Sequence, residues 1–157
     1  MRPANHPLRR MLGVAHVIAA ANAQGGLAAC FLCLARAGDE RRLLELLQPQ
    51  APDGDALIGR DRATEAAVNA VLPCAAAHGR SRGEAALVEQ ARALWLRLPR
   101  TSPSQVETLM RQHLAVPRGD RSLSSVRCQQ GLLHLYRRYC KQRLCEWCPL
   151  SRLASGE

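Results

Sequence analysis

The stretch GEAALVEQARALWLRLP, residues 83–99, decides how this chain is expected to fold. Its apolar side chains recur every three or four residues, which is the spacing of one face of an α-helix. A helix with one apolar face is stable when that face packs against other elements, so the stretch predicts a packed helix. The residues on this face are Leu87, Ala91, Leu94, Trp95 and Leu98.

The rest of the chain has the same helical character. Alanine and leucine dominate, aromatic residues make up only 3% of the composition, and no segment is a convincing strand. We therefore predict an all-α protein, with a single domain over residues 1–157 built as a bundle of about six to seven helices. The Pro-, Gly- and Asp-rich segment QPQAPDGDALIG, residues 48–59, is predicted to be a long loop within that domain.

The N-terminal segment LRRMLGVAHVIAAANA, residues 8–23, has some features of a signal peptide, because arginines precede an apolar run that ends in small residues. His16 interrupts the run, and we favour a helix from about Pro7 to Ala21. This helix is apolar nearly all round and is therefore expected at the centre of the core. No stretch is apolar for long enough to span a membrane. We expect a cytoplasmic protein with no membrane partner.

Capping residues predict several helix boundaries. Asp61 is expected to cap a helix that ends at Pro73, because proline lacks the backbone N–H that a helix interior needs. Ser102 is expected to cap the helix that follows the stretch 83–99. Ser124 or Ser125 is expected to cap the last long helix.

The chain is strongly basic, with a formal charge of +9 and Lys141 as its only lysine. Basic residues are concentrated between residues 118 and 143, where Asp120 is the one acid. Such an excess favours an acidic partner, most often nucleic acid. A solvated basic face without a partner is the competing interpretation. The residues predicted to contact nucleic acid are Arg127, Arg137, Arg138, Lys141 and Arg143.

Three cysteines, Cys140, Cys145 and Cys148, lie within nine residues near the end of the chain. The two-residue gap lets both sulfurs face one ion, and a short knuckle can close the four-residue gap. The Cys-Pro ending is shared with ferredoxin motifs, and the neighbouring basic side chains would stabilise thiolates. We predict a metal-binding knuckle at residues 139–150, holding a 4Fe-4S iron–sulfur cluster or, alternatively, zinc. A redox pair and three inert thiols are the competing interpretations.

The sequence leaves the fourth metal ligand open. Cys128 is the obvious candidate, but if residues 128–140 form one helix, Cys128 lies about 18 Å from Cys140 along its axis. Cys128 can then join the site only if the helix starts later. The other sources are Cys30 and Cys33, which form a second C-x2-C, and a partner chain.

Three segments together resemble the bacterial domain-of-unknown-function family 2851 (DUF2851). They are RPANHPLRRMLGVA (2–15), IGRDRATEAAVNAVLP (58–73) and QGLLHLYRRYCKQRLCEWCPL (130–150), in that order. The resemblance implies no activity, because none is established for the family. It implies that the three thiols are the family motif and that a separate N-terminal region of longer members is a candidate partner. Other matching positions are Arg2, Pro3, Asn5, Pro7, Gly59, Arg62, Asn69, Leu72 and Pro73.

Two functions fit these features. One is a helical iron–sulfur module that binds or helps to process nucleic acid, and the other is a zinc-knuckled module that docks on the family's N-terminal region. An independent enzyme has less support, because the sequence has neither a phosphate-binding loop nor an H-E-x-x-H motif. Asp53, Asp55 and Glu65 could form a carboxylate site, but loop solvation and helix capping explain them more simply.

Overall fold

The computed structural model describes residues 6–117, 120, 123 and 125–154. Internal contacts divide the chain into two compact units, unit 1 (residues 1–101) and unit 2 (residues 102–157). The all-α prediction is confirmed, since the described residues form helices with no strand beyond one antiparallel bridge, Gln50 to Ala56. The single-domain organisation stays a prediction. Arg2, Pro3, Asn5 and Ser124, singled out above, lie outside the described residues.

Unit 1 is a layered set of helices around an apolar core. The helices of the described part of unit 1 are α1 (Pro7–Asn22), α2 (Leu27–Ala37), α3 (Glu40–Leu47), α4 (Arg60–Ala66), α5 (Leu72–Arg82) and α6 (Ala85–Arg97). Helix α5 packs along α6, α6 also contacts α2, and α2 in turn contacts α1 and α3. The largest fully buried side chains in this unit are Leu43, Leu72, Leu87, Leu94 and Thr64.

Helix α6 is the helix predicted from the stretch 83–99. Its buried residues include Leu87, Ala91 and Leu94, as the apolar spacing predicts. Helix α5 approaches α6 closely at Gly79, where a Cβ atom would lie 2.9 Å from Cγ2 of Val88. The core of unit 1 is therefore built on this close helix pair.

Helix α1 is not at the centre of the core, so that expectation was wrong. Its buried residues are Gly13, Val17 and Ala21, whereas Leu8 and Met11 are 66% and 67% exposed. The packed stripe consists mainly of small residues, which let the helix approach the loop after α3 closely, since a Cβ atom on Gly13 would lie 2.7 Å from Ile58 Cγ1. The larger apolar side chains of α1 therefore remain outside.

Pro73 does not end a helix as predicted. A π-helical segment, Ala67–Val71, joins α4 directly to α5, and Pro73 lies in the first turn of α5. The wider π-helical turn changes the hydrogen-bond pattern just where proline lacks its N–H, so the helical path continues. The start of α4 also differs, because Gly59 is its N-cap and Asp61 lies in its first turn.

Unit 2 is smaller. Its described helices are α7 (Gln105–His113), α8 (Val126–Leu135) and α9 (Pro149–Ala154), together with a π-helical segment (Tyr136–Cys140) and a 3-10 turn (Cys145–Trp147). Helices α7 and α8 pack together, and the Gln129 side-chain amide donates a hydrogen bond of 2.8 Å to the buried carboxylate of Glu107.

Both long helices of unit 2 have serine caps. Ser104, not Ser102, caps α7, because its hydroxyl accepts from the Glu107 amide at 3.1 Å in an S-x-x-E arrangement. Ser125 caps α8 as predicted, and its hydroxyl accepts from the Cys128 amide at 3.2 Å.

Candidate metal centre and basic surface

The first of the three C-terminal thiols lies at the end of a long helical path. Helix α8 continues without a break into the π-helical segment Tyr136–Cys140, so Cys140 is the last residue of the path. Such π-helical turns often occur at functional sites. Here the segment directly precedes the predicted knuckle.

A tight backbone turn separates Cys140 from Cys145. The Leu144 amide donates to the Tyr139 carbonyl at 3.0 Å, and the Arg143 amide donates to the Cys140 carbonyl at 3.1 Å. This pair of bonds is a Schellman motif, with Arg143 in the left-handed region at φ 56°. Glycine is the usual residue at that position, because it has no Cβ to crowd the backbone. The motif reverses the chain directly after the first thiol.

The other two cysteines lie on a compact turn. The Cys148 amide donates to the Cys145 carbonyl at 3.1 Å across the 3-10 turn. The Ser151 hydroxyl donates to the carbonyls of both cysteines. Pro149 starts α9, a position that proline favours in any helix. The Cys-Pro pair thus has a structural explanation and does not favour an iron–sulfur cluster over zinc.

The pKa of the Cys140 thiol is affected by burial and by the other two cysteines. Burial raises its pKa above the usual value, and repulsion from the thiolates of Cys148 and Cys145 adds to this increase. Its sulfur also lies 3.7 Å from the sulfur of Met110 in α7. Met110 is 2% exposed, and its spacing in the chain does not indicate that it would be a neighbour of the thiols. A thioether is a soft donor of the kind that suits the same metals as a thiolate.

The three thiols are not arranged as a finished metal site. Among the described residues, no three His, Cys, Asp or Glu side chains are placed to hold one ion. None of the seven cysteines forms a disulfide, and Cys145 is exposed whereas Cys140 and Cys148 are half-buried. Bringing the thiols onto one ion would therefore require movement of the turn or its side chains.

The continuous helix bears on the fourth ligand. Because α8 and the π-helical segment run unbroken, Cys128 and Cys140 lie at opposite ends, roughly 18 Å apart for an ideal helix. Cys128 could join the site only if the helix started after it, and α8 instead starts at Val126. The second C-x2-C is in unit 1, where Cys30 is buried and Cys33 exposed on α2. Burial, and secondarily Cys33, raises the pKa of Cys30.

The predicted basic residues are all exposed, and four of them flank Cys140 in the chain, whereas Arg127 lies beside Cys128 at the other end of the helical path. Within the described part of the chain, none of these five side chains forms an ion pair. The indole of Trp147, between the last two cysteines, is 70% exposed. Sequence reasoning gave this residue no role. The five basic residues are Arg127, Arg137, Arg138, Lys141 and Arg143.

The carboxylates weighed as a catalytic site have structural partners instead. Asp55 pairs with Arg9 at 3.3 Å, and Glu65 pairs with Arg62 at 2.6 Å. The Asp53 side chain accepts from the Asp55 amide at 3.0 Å, which closes the loop turn.

No protein-family model matches the chain, and no curated protein or solved structure matches it either. The resemblance to DUF2851 therefore stays a prediction. No helix among the described residues is by itself long and apolar enough to cross a membrane; α1 and α2 meet that test only as a pair bent by 78°.

Proposed function

We propose that unit 2 is a thiolate metal module that binds nucleic acid. The observation that carries the proposal is the position of the three cysteines, before and after a closed turn whose flanking basic side chains are exposed and form no ion pair within the described residues. A bound cation would remove the repulsion between the thiolates, because metal ligation favours the deprotonated thiol. An iron–sulfur cluster and zinc are the two candidates, held by Cys140, Cys145 and Cys148. The proposal includes a cytoplasmic location, where thiols stay reduced.

The small core of unit 2 is an argument that this unit binds a metal. Its buried apolar side chains among the described residues are Met110, Val126 and Leu132, far fewer than in unit 1. Domains of this size often need a metal, a disulfide or a partner, because they bury too little apolar surface to offset the entropy of folding. Because none of the seven cysteines forms a disulfide, metal ligation by thiolates is the cross-link that the chain itself offers.

The surface of the knuckle supports single-stranded nucleic acid as the partner. Arg137, Arg138 and Lys141 are exposed in consecutive turns and can contact successive phosphates. The exposed indole of Trp147 lies in the adjoining segment and can stack on an unpaired base. Duplex DNA would satisfy the cations but leave the indole without a base to stack on.

The metal is tested first, on the full chain purified without oxygen. Iron, sulfide and zinc are measured per chain, and the visible spectrum is recorded. We expect either a broad visible absorption with near-stoichiometric iron and sulfide, or one zinc per chain. The double substitution Cys145→Ser, Cys148→Ser should abolish metal retention, whereas the control Cys74→Ser should keep it, because Cys74 is exposed and is not a candidate ligand. Absence of metal, or equal metal in both variants, would contradict the proposal.

Nucleic-acid binding is tested by fluorescence anisotropy with single-stranded and duplex oligonucleotides. Affinity should fall steeply with salt, and Arg138→Gln should reduce the slope of log K against log salt by about 1, because one phosphate contact is lost. Arg92→Gln in α6 is the control, since Arg92 is also exposed but lies in unit 1. Trp147→Ala should weaken single-strand binding and leave duplex binding unchanged. No binding at low salt would overturn this part of the proposal.

A zinc-knuckled protein-interaction module is the second candidate. It is favoured by one observation: Leu144 and Trp147 expose apolar surface on the same turn, at 36% and 70%. In this case zinc would be found, oligonucleotides would not bind, and the chain would bind a separately expressed N-terminal region of a longer DUF2851 protein. The substitution Trp147→Ala would then weaken that complex.

A further inference from the structure

Unit 1 contains a cavity of about 600 Å³ that the proposed function does not use. It lies between α1, α2 and α4, with the loop after α3 and the π-helical segment completing its wall. Pockets that bind small molecules commonly have volumes of about 300–1,000 Å³. The cavity therefore has the size of a ligand site.

The wall of the cavity is apolar over most of its surface. Val14 and Ile18 of α1 face it and are 51% and 44% exposed, so a ligand would cover apolar side chains that now contact water. Phe31 of α2 and Leu57 of the loop line the same space. Removing this surface from water would favour an apolar ligand.

Charge on the wall has one sign. Of the described residues that line the cavity, the charged ones are Arg10 and Arg62, and no acidic side chain is among them. Arg62 already pairs with Glu65 through one terminal nitrogen, at 2.6 Å. A guanidinium has five N–H donors, so donors remain for an anionic group of a ligand. The wall thus combines an apolar surface with a positive region.

A second apolar cavity of about 460 Å³ shares part of this wall. Both cavities are lined by Leu27, Phe31, Ala70 and Val71. The shared residues extend the apolar surface away from α1, toward α5. A long, narrow ligand could therefore continue past the first cavity.

From this arrangement we propose that unit 1 binds an amphipathic anion, an alkyl chain with a carboxylate or similar head group. The chain lies along Val14, Ile18 and Phe31, and the head group lies against Arg10 and Arg62. The apolar wall provides affinity that grows with chain length. The guanidinium groups select an anionic head over a neutral or cationic one.

The proposal is tested on the full chain by isothermal titration calorimetry, below the micelle concentration of each probe. The probes are hexanoate, octanoate and decanoate, with decyltrimethylammonium as a cation of equal chain length. We expect affinity to rise by about fourfold for each added methylene that is buried. Decanoate should bind several-fold more tightly than the cation. Equal binding of anion and cation, or no binding of decanoate, would overturn the assignment.

Two pairs of variants locate the site. Val14→Trp should fill the cavity and lower decanoate affinity at least tenfold, whereas Met11→Trp should bind normally, because Met11 is exposed on α1 and does not line the cavity. Arg62→Gln should weaken decanoate by about two- to fivefold, since a part-exposed charge pair contributes modestly. Arg92→Gln is its control, because Arg92 also has an acidic partner three residues away.

Sedimentation velocity distinguishes a ligand site from a surface that binds a second copy of the chain. If the wild-type chain self-associates, if Val14→Trp makes it monomeric, and if decanoate has no effect, the wall is a protein interface and the proposal is wrong. The variants in these experiments change unit 1 residues alone. Decanoate binding can therefore be absent while metal and oligonucleotide binding are observed.

Discussion

The two units differ in the share of their described arginines that form ion pairs. In unit 1, Arg36 pairs with Glu84 at 2.9 Å, and Arg41 pairs with Glu45 at 2.7 Å. In unit 2, the five predicted nucleic-acid-binding residues form no ion pair within the described residues. Unpaired cations repel one another and add nothing to folding, so their grouping is easier to explain by an anionic partner than by stability.

The two units also differ in the size of their apolar cores. Among the described residues of unit 2, only three apolar side chains are buried, those of Met110, Val126 and Leu132. Unit 1 therefore depends on apolar burial, whereas unit 2 has little of it and is expected to depend on what it binds. Each of the following experiments tests that contrast.

Metal removal should have the largest effect and should separate the units. Chelation of the metal-loaded chain is expected to abolish hydrogen-exchange protection in α8, because binding energy of about 10 kcal/mol or more is lost from a structural thiolate site. Protection in α5 and α6 should persist. Equal loss of protection in both units, or loss in neither, would remove the contrast.

A core truncation should have the next largest effect, in unit 1. Leu94 is fully buried in α6, so Leu94→Ala is expected to lower the free energy of unfolding by about 2–5 kcal/mol, through lost burial and a residual cavity. Denaturant unfolding followed by circular dichroism measures this change. The control is Leu96→Ala, because Leu96 is 42% exposed in the same helix and should cost less than about 1 kcal/mol. A similar cost for both would contradict the assigned core.

A change at the Schellman turn should have a smaller effect, with opposite signs on stability and binding. Arg143 occupies the left-handed region at φ 56°, so Arg143→Gly should stabilise the metal-free chain by about 0.5–1 kcal/mol. The same change removes a cation and should weaken oligonucleotide binding. Thermal unfolding and anisotropy measure the two effects, with Arg143→Ala as the control that loses the charge but keeps the strain. A less stable Arg143→Gly chain would contradict the turn geometry.

The thiols should show the smallest effect, in the metal-free chain. Burial and the neighbouring thiolates raise the pKa of Cys140 above its usual 9.0, so less thiolate is present and iodoacetamide should modify it more slowly than exposed Cys33 at pH 8. Because the pKa of Cys140 is raised in the folded chain, the unfolded chain loses the thiol proton at a lower pH than the folded chain does. The contribution of the protonated thiol to the free energy of unfolding is therefore complete below pH 9.0 and falls as pH rises above that value. Mass spectrometry of modified peptides measures the rates, and equal rates would contradict the burial of Cys140.

The spacing of apolar residues predicted the buried face of α6 but not that of α1, because the two helices differ in how many of their faces are apolar. Helix α6 has one apolar face, and that face has one way to be buried. Helix α1 is apolar all round, so spacing did not identify the face that packs. The small residues Gly13 and Ala21 determined that face, because they permit the closest approach.

The candidate site was predictable to the extent that it is local. The Ser125 cap follows from short-range spacing, whereas the contact between Met110 and Cys140 joins residues thirty positions apart. The metal site at the three thiols stays a prediction. The continuation of the helix through Pro73 also could not be predicted, since it depends on a π-helical turn that has no clear sequence signature.

The π-helical segment Tyr136–Cys140 makes the site respond differently to the loss and to the gain of a residue. A π-helical turn holds one residue more than an α-helical turn, so deleting Arg138 would return the segment to an α-helical path with Cys140 still directed toward Met110. Adding a residue to the segment would instead rotate everything after it by about 100° about the helix axis. Cys140 would then turn away from Met110 although both residues were still present. Single-residue insertions in this segment should therefore be more damaging than single-residue deletions.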